Sequence, residues 1–382
     1  MRPDATILSA IKPIRGDTAP MKPVDIYRII SKDIIGQDDM LKYVSVAIFK
    51  HVAGEKFGNL LLIGNSGTGK TATMQAVERM YNTHPFFEKH RVVLRMNANT
   101  FANDEGMVLP HTHLYHQLEN RALTILGKNA TPEKVRELVE HATVCIDEID
   151  KITARIGGKP NVVGINIQQS LLTLMEGEEI TYNTRLFIGG EYKEHTFHID
   201  TGKMLFICGG AFEELYDQVY SRVFEEGKQE KLTKMTLNVD GAVEFKQIFT
   251  LKENLEQIDI FNYGMLPQFI ARFDNAVVLN DLTPNDLLTI FMDTPNSVFK
   301  HSKRFFEKFN VELSVTEKAR KLIAYKAAEN SRVGARALKD IYGRIIKRFE
   351  FDPHNCPEVQ KFGDRYELTI DETIVKRALG IK

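Results

Sequence analysis

Asn59-Leu-Leu-Leu-Ile-Gly64-Asn-Ser-Gly67-Thr-Gly69-Lys70-Thr71 decides the fold. A short apolar run enters a glycine-rich turn, a Lys-Thr pair closes it, and a helical pattern follows from Ala72 to Met80. This is the phosphate-loop pattern G-x-x-x-x-G-K-[ST], with the strand before it and the helix after it. The glycines let backbone N–H groups converge on an anion without Cβ clashes, and the helix aims its positive end at the same point. The expected phosphate cradle is Gly64, Asn65, Ser66, Gly67, Thr68, Gly69, Lys70 and Thr71. Lys70 should reach the β- and γ-phosphates of a nucleotide, and the Thr71 hydroxyl should ligate Mg²⁺.

The second constellation is Thr143-Val-Cys-Ile-Asp147-Glu148, a buried strand ending in two acids. Acids are common where a strand meets solvent. Beside a phosphate loop they take chemical roles: Asp147 in the Mg²⁺ shell, and Glu148 as the base that polarises an attacking water.

Further strand patterns at 91–96, 203–208 and 276–279 alternate with helical ones. That alternation predicts an α/β fold, a parallel sheet with helices on both faces. Residues 1–20 read as an N-terminal arm, 21–281 as a large ATPase domain, and 282–382 as a small, mostly α-helical C-terminal domain with one strand at 365–370. Glu176 to Thr201 reads as a hairpin excursion. A net charge of -1 offers no basic field for nucleic acid or a membrane surface. No apolar run approaches the ~18 residues of a membrane span. Cys145, Cys208 and Cys356 form no C-x-x-C pair, and a reducing, cytoplasmic setting is expected. His111, His113 and His116 lack partners at ligand spacing and read as ordinary polar residues. The basic stretch Lys300–Lys308, interleaved with phenylalanines at helical spacing, reads as an amphipathic helix rather than a nucleic-acid surface.

The run Asp147-Glu148-Ile149-Asp150-Lys151-Ile152, taken with the phosphate loop, resembles the AAA+ ATPases, and within them the ClpX-like members of the Clp/HslU family. The likeness extends over about residues 21–380 and includes Leu205-Phe-Ile-Cys-Gly-Gly-Ala-Phe212. Ile34-Ile35-Gly36-Gln37 resembles the family's adenine-contacting segment, which assigns Ile35 to the nucleotide. Gly264-Met-Leu-Pro-Gln-Phe-Ile-Ala-Arg272-Phe273 resembles the box that carries an arginine finger, so the resemblance implies that Arg272 reaches the ATP of a neighbouring subunit. Gly334-Ala335-Arg336-Ala337-Leu338 resembles the sensor-2 motif, which implies that Arg336 meets the γ-phosphate of its own subunit. A finger supplied in trans implies a homo-oligomer, in this family a hexameric ring. The strand at the sensor-1 position ends in Gly209-Gly210, so no sensor-1 residue is assigned.

Departures from the family carry equal weight. Its Gly-Tyr-Val-Gly pore loop falls on Gly106, Met107 and Val108, with Met107 in place of the tyrosine. The second pore loop, near 159–164, and the pore-mouth loop, near 189–198, are also altered. The family's zinc-binding domain is expected to be lacking. Residues 216–252 hold no Ile-Gly-Phe tripeptide of the kind that docks the ClpP peptidase, so ClpP is not an expected partner. The expected function is ATP-driven unfolding or remodelling of protein substrates, with or without an adaptor. Two readings stay open beside it: an ATP-gated assembly or signalling module that translocates nothing, and a DNA-acting motor, against which the neutral charge argues.

Overall fold

The computed structural model describes residues 21–381, apart from 104, 106, 110, 189, 228–232, 238–242, 248, 330, 331 and 364. The expected N-terminal arm, 1–20, and Gly106 of the expected pore loop lie outside the described residues.

Helices α1 (Pro23–Ile30) and α2 (Asp38–Ala53) precede β1 (Asn59–Ile63) and α3 (Lys70–Thr83). Then come β2 (Val93–Asn97), α4 (His111–Leu126), α5 (Pro132–Glu140) and β3 (Thr143–Asp147). A small hairpin, β4 (Arg155–Ile156) and β5 (Lys159–Pro160), leads into α6 (Val162–Leu174). A long ribbon, β6 (Glu179–Ile188) and β7 (Glu191–Asp200), returns the chain to β8 (Leu205–Gly210). Next are α7 (Glu213–Glu225) and a hairpin, β9 (Thr233–Leu237) and β10 (Val243–Gln247). Short helices α8 (Leu251–Asn254), α9 (Gln257–Tyr263) and α10 (Pro267–Ile270) lead to β11 (Phe273–Val278). The C-terminal part comprises α11 (Pro284–Met292), α12 (Val298–Glu307), β12 (Val311–Val315), α13 (Glu317–Ala328), α14 (Arg336–Phe351), β13 (Val359–Phe362), β14 (Arg365–Ile370) and α15 (Glu372–Leu379).

Five strands form one parallel sheet in the order β11-β1-β8-β3-β2. Side chains alternate across it. Leu61, Ile63, Val144, Ile146 and Phe206 enter one apolar cluster, and Leu60, Leu62, Cys145, Leu205 and Ile207 the other. A sheet buried on both faces needs helices on both faces, which is the expected α/β architecture. Because all five strands run the same way, their C-terminal ends share one edge. Ile63 lies there beside Gly210 and Val278, and Asp147 beside Asn97. Ligands of such sheets bind outside that edge.

The C-terminal part has its own core, with Leu282, Phe291, Phe306, Ile323, Leu338 and Phe349 among its buried residues. It is mostly helical but holds three strands, ordered β12-β14-β13, where the sequence predicts one. The alternation of Val311, Leu313 and Val315 is five residues long and follows a helical pattern directly. A run that short does not separate from a helix end on periodicity alone.

Candidate nucleotide site

The loop between β1 and α3 bends through left-handed residues, Gly67 at φ +72° and Gly69 at φ +114°. Lys70 opens α3 with only 7% of its surface exposed. Its Nζ donates to the carbonyls of Gly64 (2.5 Å) and Asn65 (2.9 Å). Burial pulls the ammonium down to about 8, against the opposing pull of Asp147 and Asp150 and with a further push from nearby Arg336. A buried cation of this kind is poised for an anion that replaces its lost solvation.

Thr71 Oγ1 donates to Asp147 Oδ2 at 2.5 Å, so the hydroxyl and carboxylate expected to hold Mg²⁺ already meet at one point. They are hard oxygen donors of the type Mg²⁺ accepts alongside substrate phosphates. Glu148 follows in the left-handed region, φ +58°, and its N–H donates to Asp147 Oδ1 at 2.9 Å. For a residue with a Cβ that conformation costs about 1 kcal/mol. It turns the Glu148 side chain out of the strand line and into solvent beside the loop.

A cleft of about 290 Å³ brings together Lys70, Thr71, Asp147, Glu148 and Arg336. Arg336 arrives from the C-terminal part on a turn packed backbone-to-backbone against the loop. Ala335 N–H donates to Gly67 O at 3.1 Å. A Cβ on Gly67 would stand 2.5 Å from Val333 O, so glycine is required there for the approach as well as for its φ.

Asp150 and Glu213 also line the cleft, and sequence reasoning gave neither a role. Asp150 is buried; its Oδ1 accepts from Ala211 N–H at 3.0 Å, and Lys151 Nζ stands 3.5 Å from Oδ2. It thereby ties the acidic strand to the end of β8. A Cβ on Gly210 would lie 2.7 Å from Asp150 Oδ1, a physical reason for glycine where the family's sensor 1 falls. The signal for Asp150 was its place in the same acidic run; Glu213 had none.

Other expected residues lie elsewhere. Ile35 is half-buried and outside the cleft, in a segment whose Ile34 side chain reaches the Gly69 backbone. Arg272 lies at the opposite end of the sheet. The next residue, Phe273, pairs with Asn59 at the start of β1, whereas the phosphate loop leaves after Ile63. Five strand residues span roughly 16 Å, so Arg272 does not join its own chain's cleft. Its side chain is 40% exposed and pairs with Glu176 at 2.9 Å. Met107 is 59% exposed on a small closed loop, where Val108 bridges Ala102 and the Met107 N–H donates to Asn103 Oδ1 at 2.8 Å. His113 and His116 contact Gln117 and Glu119 respectively. A larger hollow of about 760 Å³, between α2 and β11, is lined by Lys42, Tyr43, Val46 and Asp274. It has no glycine loop and no pair of acids at a strand tip, the two features of the phosphate-loop pattern, and the smaller cleft has both.

The family description AAA domain (Cdc48 subfamily) matches residues 55–276, more than half of the chain. The chain belongs to the AAA+ ATPases. Curated relatives named "ATP-dependent Clp protease ATP-binding subunit ClpX" align along most of it. The protein from Bacteroides fragilis is 29% identical over 92% of this chain and 80% of its own length. That from Azotobacter vinelandii is 28% identical over 88% and 76%, and that from Treponema denticola 27% over 96% and 84%. This AAA+ ATPase is therefore ClpX-like, and membership of the family carries ATP binding with a divalent metal and ATP hydrolysis. Among the described residues no helix is long and apolar enough to cross a membrane.

Proposed function

We propose that this AAA+ ATPase forms a homo-oligomeric ring, hexameric as in its family, and uses Mg-ATP hydrolysis to unfold or remodel protein substrates in the cytoplasm, independently of ClpP. The observation that carries the proposal is the cleft that gathers Lys70, Thr71, Asp147, Glu148 and Arg336 while Arg272 is exposed at the far end of the sheet. Backbone N–H groups of 64–71 and Ile35 hold the nucleotide, and Lys70 takes the β- and γ-phosphates. Thr71 and Asp147 would hold Mg²⁺, which would supply charge neutralisation at the phosphate oxygens. Glu148 accepts a proton as a water oxygen attacks the γ-phosphorus; the bond to the β-phosphate oxygen breaks and ADP leaves with that electron pair. Arg336, and Arg272 from a neighbouring subunit, hold the charge spread over the transferring phosphoryl.

Remodelling rests on the ClpX-like length of the match and on the exposed side chain of Met107, whose flexible thioether can pack against varied chains. Independence from ClpP rests on the missing Ile-Gly-Phe tripeptide in 216–252. Nucleic acid and membranes are not part of the proposal.

Glu148→Gln should retain ATP binding and lose turnover by roughly 10²–10⁴; a wild-type rate sinks the assignment. A tagged, folded fluorescent substrate should lose its signal in an ATP-dependent way, more slowly with Met107→Ala. Full turnover with an intact substrate would instead favour the ATP-gated assembly module, the reading that the methionine in the pore loop motivates.

A further inference from the structure

Strand β11 ends at Val278 and α11 begins at Pro284, so residues 279–283 join the sheet to the C-terminal part. Leu279 packs into the sheet's core and Leu282 into the C-terminal core. Between them lie two polar residues, and each is held from the nucleotide side. Asn280 exchanges two hydrogen bonds with the buried Gln37 side chain: its N–H donates to Oε1 (2.9 Å) and its carbonyl accepts from Nε2 (2.8 Å). Gln37 belongs to the segment assigned to adenine. Asp281 Oδ1 accepts from Asn65 Nδ2 (2.8 Å) and from the Tyr216 hydroxyl (3.1 Å), and Asn65 Nδ2 also donates to the Tyr216 oxygen (3.0 Å).

The three side chains close a ring in which no proton is used twice: Asn65 gives two, Tyr216 takes one and gives one, and the carboxylate takes two. Asn65 is 1% exposed and Tyr216 6%. Asn65 is itself part of the phosphate loop, and its backbone carbonyl accepts from Lys70 Nζ. Two successive contacts therefore connect the phosphate-reaching lysine to the linker. Tyr216's neighbour on α7, Asp217, pairs with Arg332 on the turn ahead of Arg336, so the same helix touches both routes into the C-terminal part.

We propose, resting on the ATPase reading above, that Asn65, Tyr216 and Asp281 form a latch through which the linker's orientation and the position of Lys70 set one another. When Lys70 turns to a γ-phosphate it releases the Asn65 carbonyl, and the Asn65 side chain passes the loop's shift to Asp281. Rotation of the linker withdraws Asp281 from the ring: the buried Asn65 amide keeps only its bond to the Tyr216 oxygen, and the Tyr216 hydroxyl loses its acceptor, a costly state for buried groups. Asp281 and Tyr216 are thus positioning residues, acting on the phosphates through Asn65.

The test uses the full chain carrying Asp281→Ala, Tyr216→Phe, Asn65→Ala, the Asn65→Ala/Asp281→Ala pair, and Asp281→Asn. Two measurements are made: kcat and KM for ATP, and hydrogen exchange of the 64–71 amides without nucleotide. Asp281→Ala should raise KM about tenfold, the worth of one or two charge-assisted hydrogen bonds, with a smaller change in kcat. It should speed exchange in 64–71 while β1 and β8 stay protected. The double variant should be no worse than its worse single parent, since both remove one interaction. Asp281→Asn, which keeps an accepting oxygen, should recover most of KM. Wild-type KM and exchange in Asp281→Ala, or additive effects in the pair, overturn the latch. If Asp281→Ala does not fold, Tyr216→Phe keeps the ring packing and answers by the same two measurements. A wild-type chain that does not turn over ATP defeats the ATPase reading, and the exchange data still decide the latch.

Discussion

The N–H of Ala335 donates to the carbonyl of Gly67 at 3.1 Å, so the turn that delivers Arg336 is hydrogen-bonded to the phosphate loop itself. The loop's shape and the position of the C-terminal part's arginine are one structural variable.

Gly67→Ala tests this directly. A Cβ there meets Val333 O at 2.5 Å, on a backbone at φ +72°. The strain is of order 1–3 kcal/mol, and relief requires the turn to move. ATP affinity should fall about tenfold or more, read by calorimetric titration with a non-hydrolysable analogue. Gly54→Ala is the control: φ is +69° but nothing lies within 4 Å, so it should lower the melting temperature without touching affinity.

Lys70 sets a pH dependence of nucleotide binding. In the folded chain its ammonium titrates at about 8, while an unfolded lysine stays charged to ~10.4. Between those values the unfolded chain binds more protons, so this group makes the folded state gain stability as pH rises through the window. Binding runs the opposite way, because phosphate needs the ammonium. Affinity for the analogue should be flat below about pH 8 and fall above it. Lys70→Arg, whose charge persists beyond pH ~12, should flatten that slope. An unchanging wild-type profile to about pH 9.5 would remove the buried ammonium from phosphate binding.

Arg272 cannot serve the cleft of its own chain if the sheet is intact, because it sits at the strands' N-terminal ends. Arg272→Ala alone and Glu148→Gln alone should each bind ATP and turn over little. Mixed together they should recover part of the activity, since an intact Glu148 in one subunit then faces an intact Arg272 from the next. No recovery on mixing, with oligomers confirmed by light scattering, would end the in-trans assignment.

Arg222 anchors α7 to α9 and is separate from the chemistry. Its guanidinium makes a bidentate pair with Asp259, at 2.7 and 2.8 Å, and caps Asn254 O at 2.7 Å. Asp259 is 1% exposed, so removing the arginine strands a buried carboxylate. Arg222→Ala should cost about 3–5 kcal/mol in denaturant unfolding. Arg222→Lys should recover only part of that, because an ammonium lacks the planar fork.

Much of the fold was legible in short windows. The phosphate loop, the acidic strand and the alternation of strands with helices each depend on residues close in sequence, where spacing alone decides geometry. The long ribbon of β6 and β7 was legible for the same reason. The three-stranded sheet β12-β14-β13 was not, because its strands are short and β12 pairs across some fifty residues with β14.

The sequence by itself determined the phosphate-loop pattern: Gly64 to Thr71 with Asp147 and Glu148 set a local backbone conformation and a group of side-chain types suited to a nucleotide phosphate. Only the tertiary structure decided what surrounds that site. Arg336 reaches it through the contact of Ala335 with Gly67, Asp150 and Glu213 line it, and Asp281 is tied to Asn65. Arg272 is turned away to the other end of the sheet. These relations join residues far apart in the chain, where no periodicity or spacing carries information and only the packing of the two cores brings the groups together.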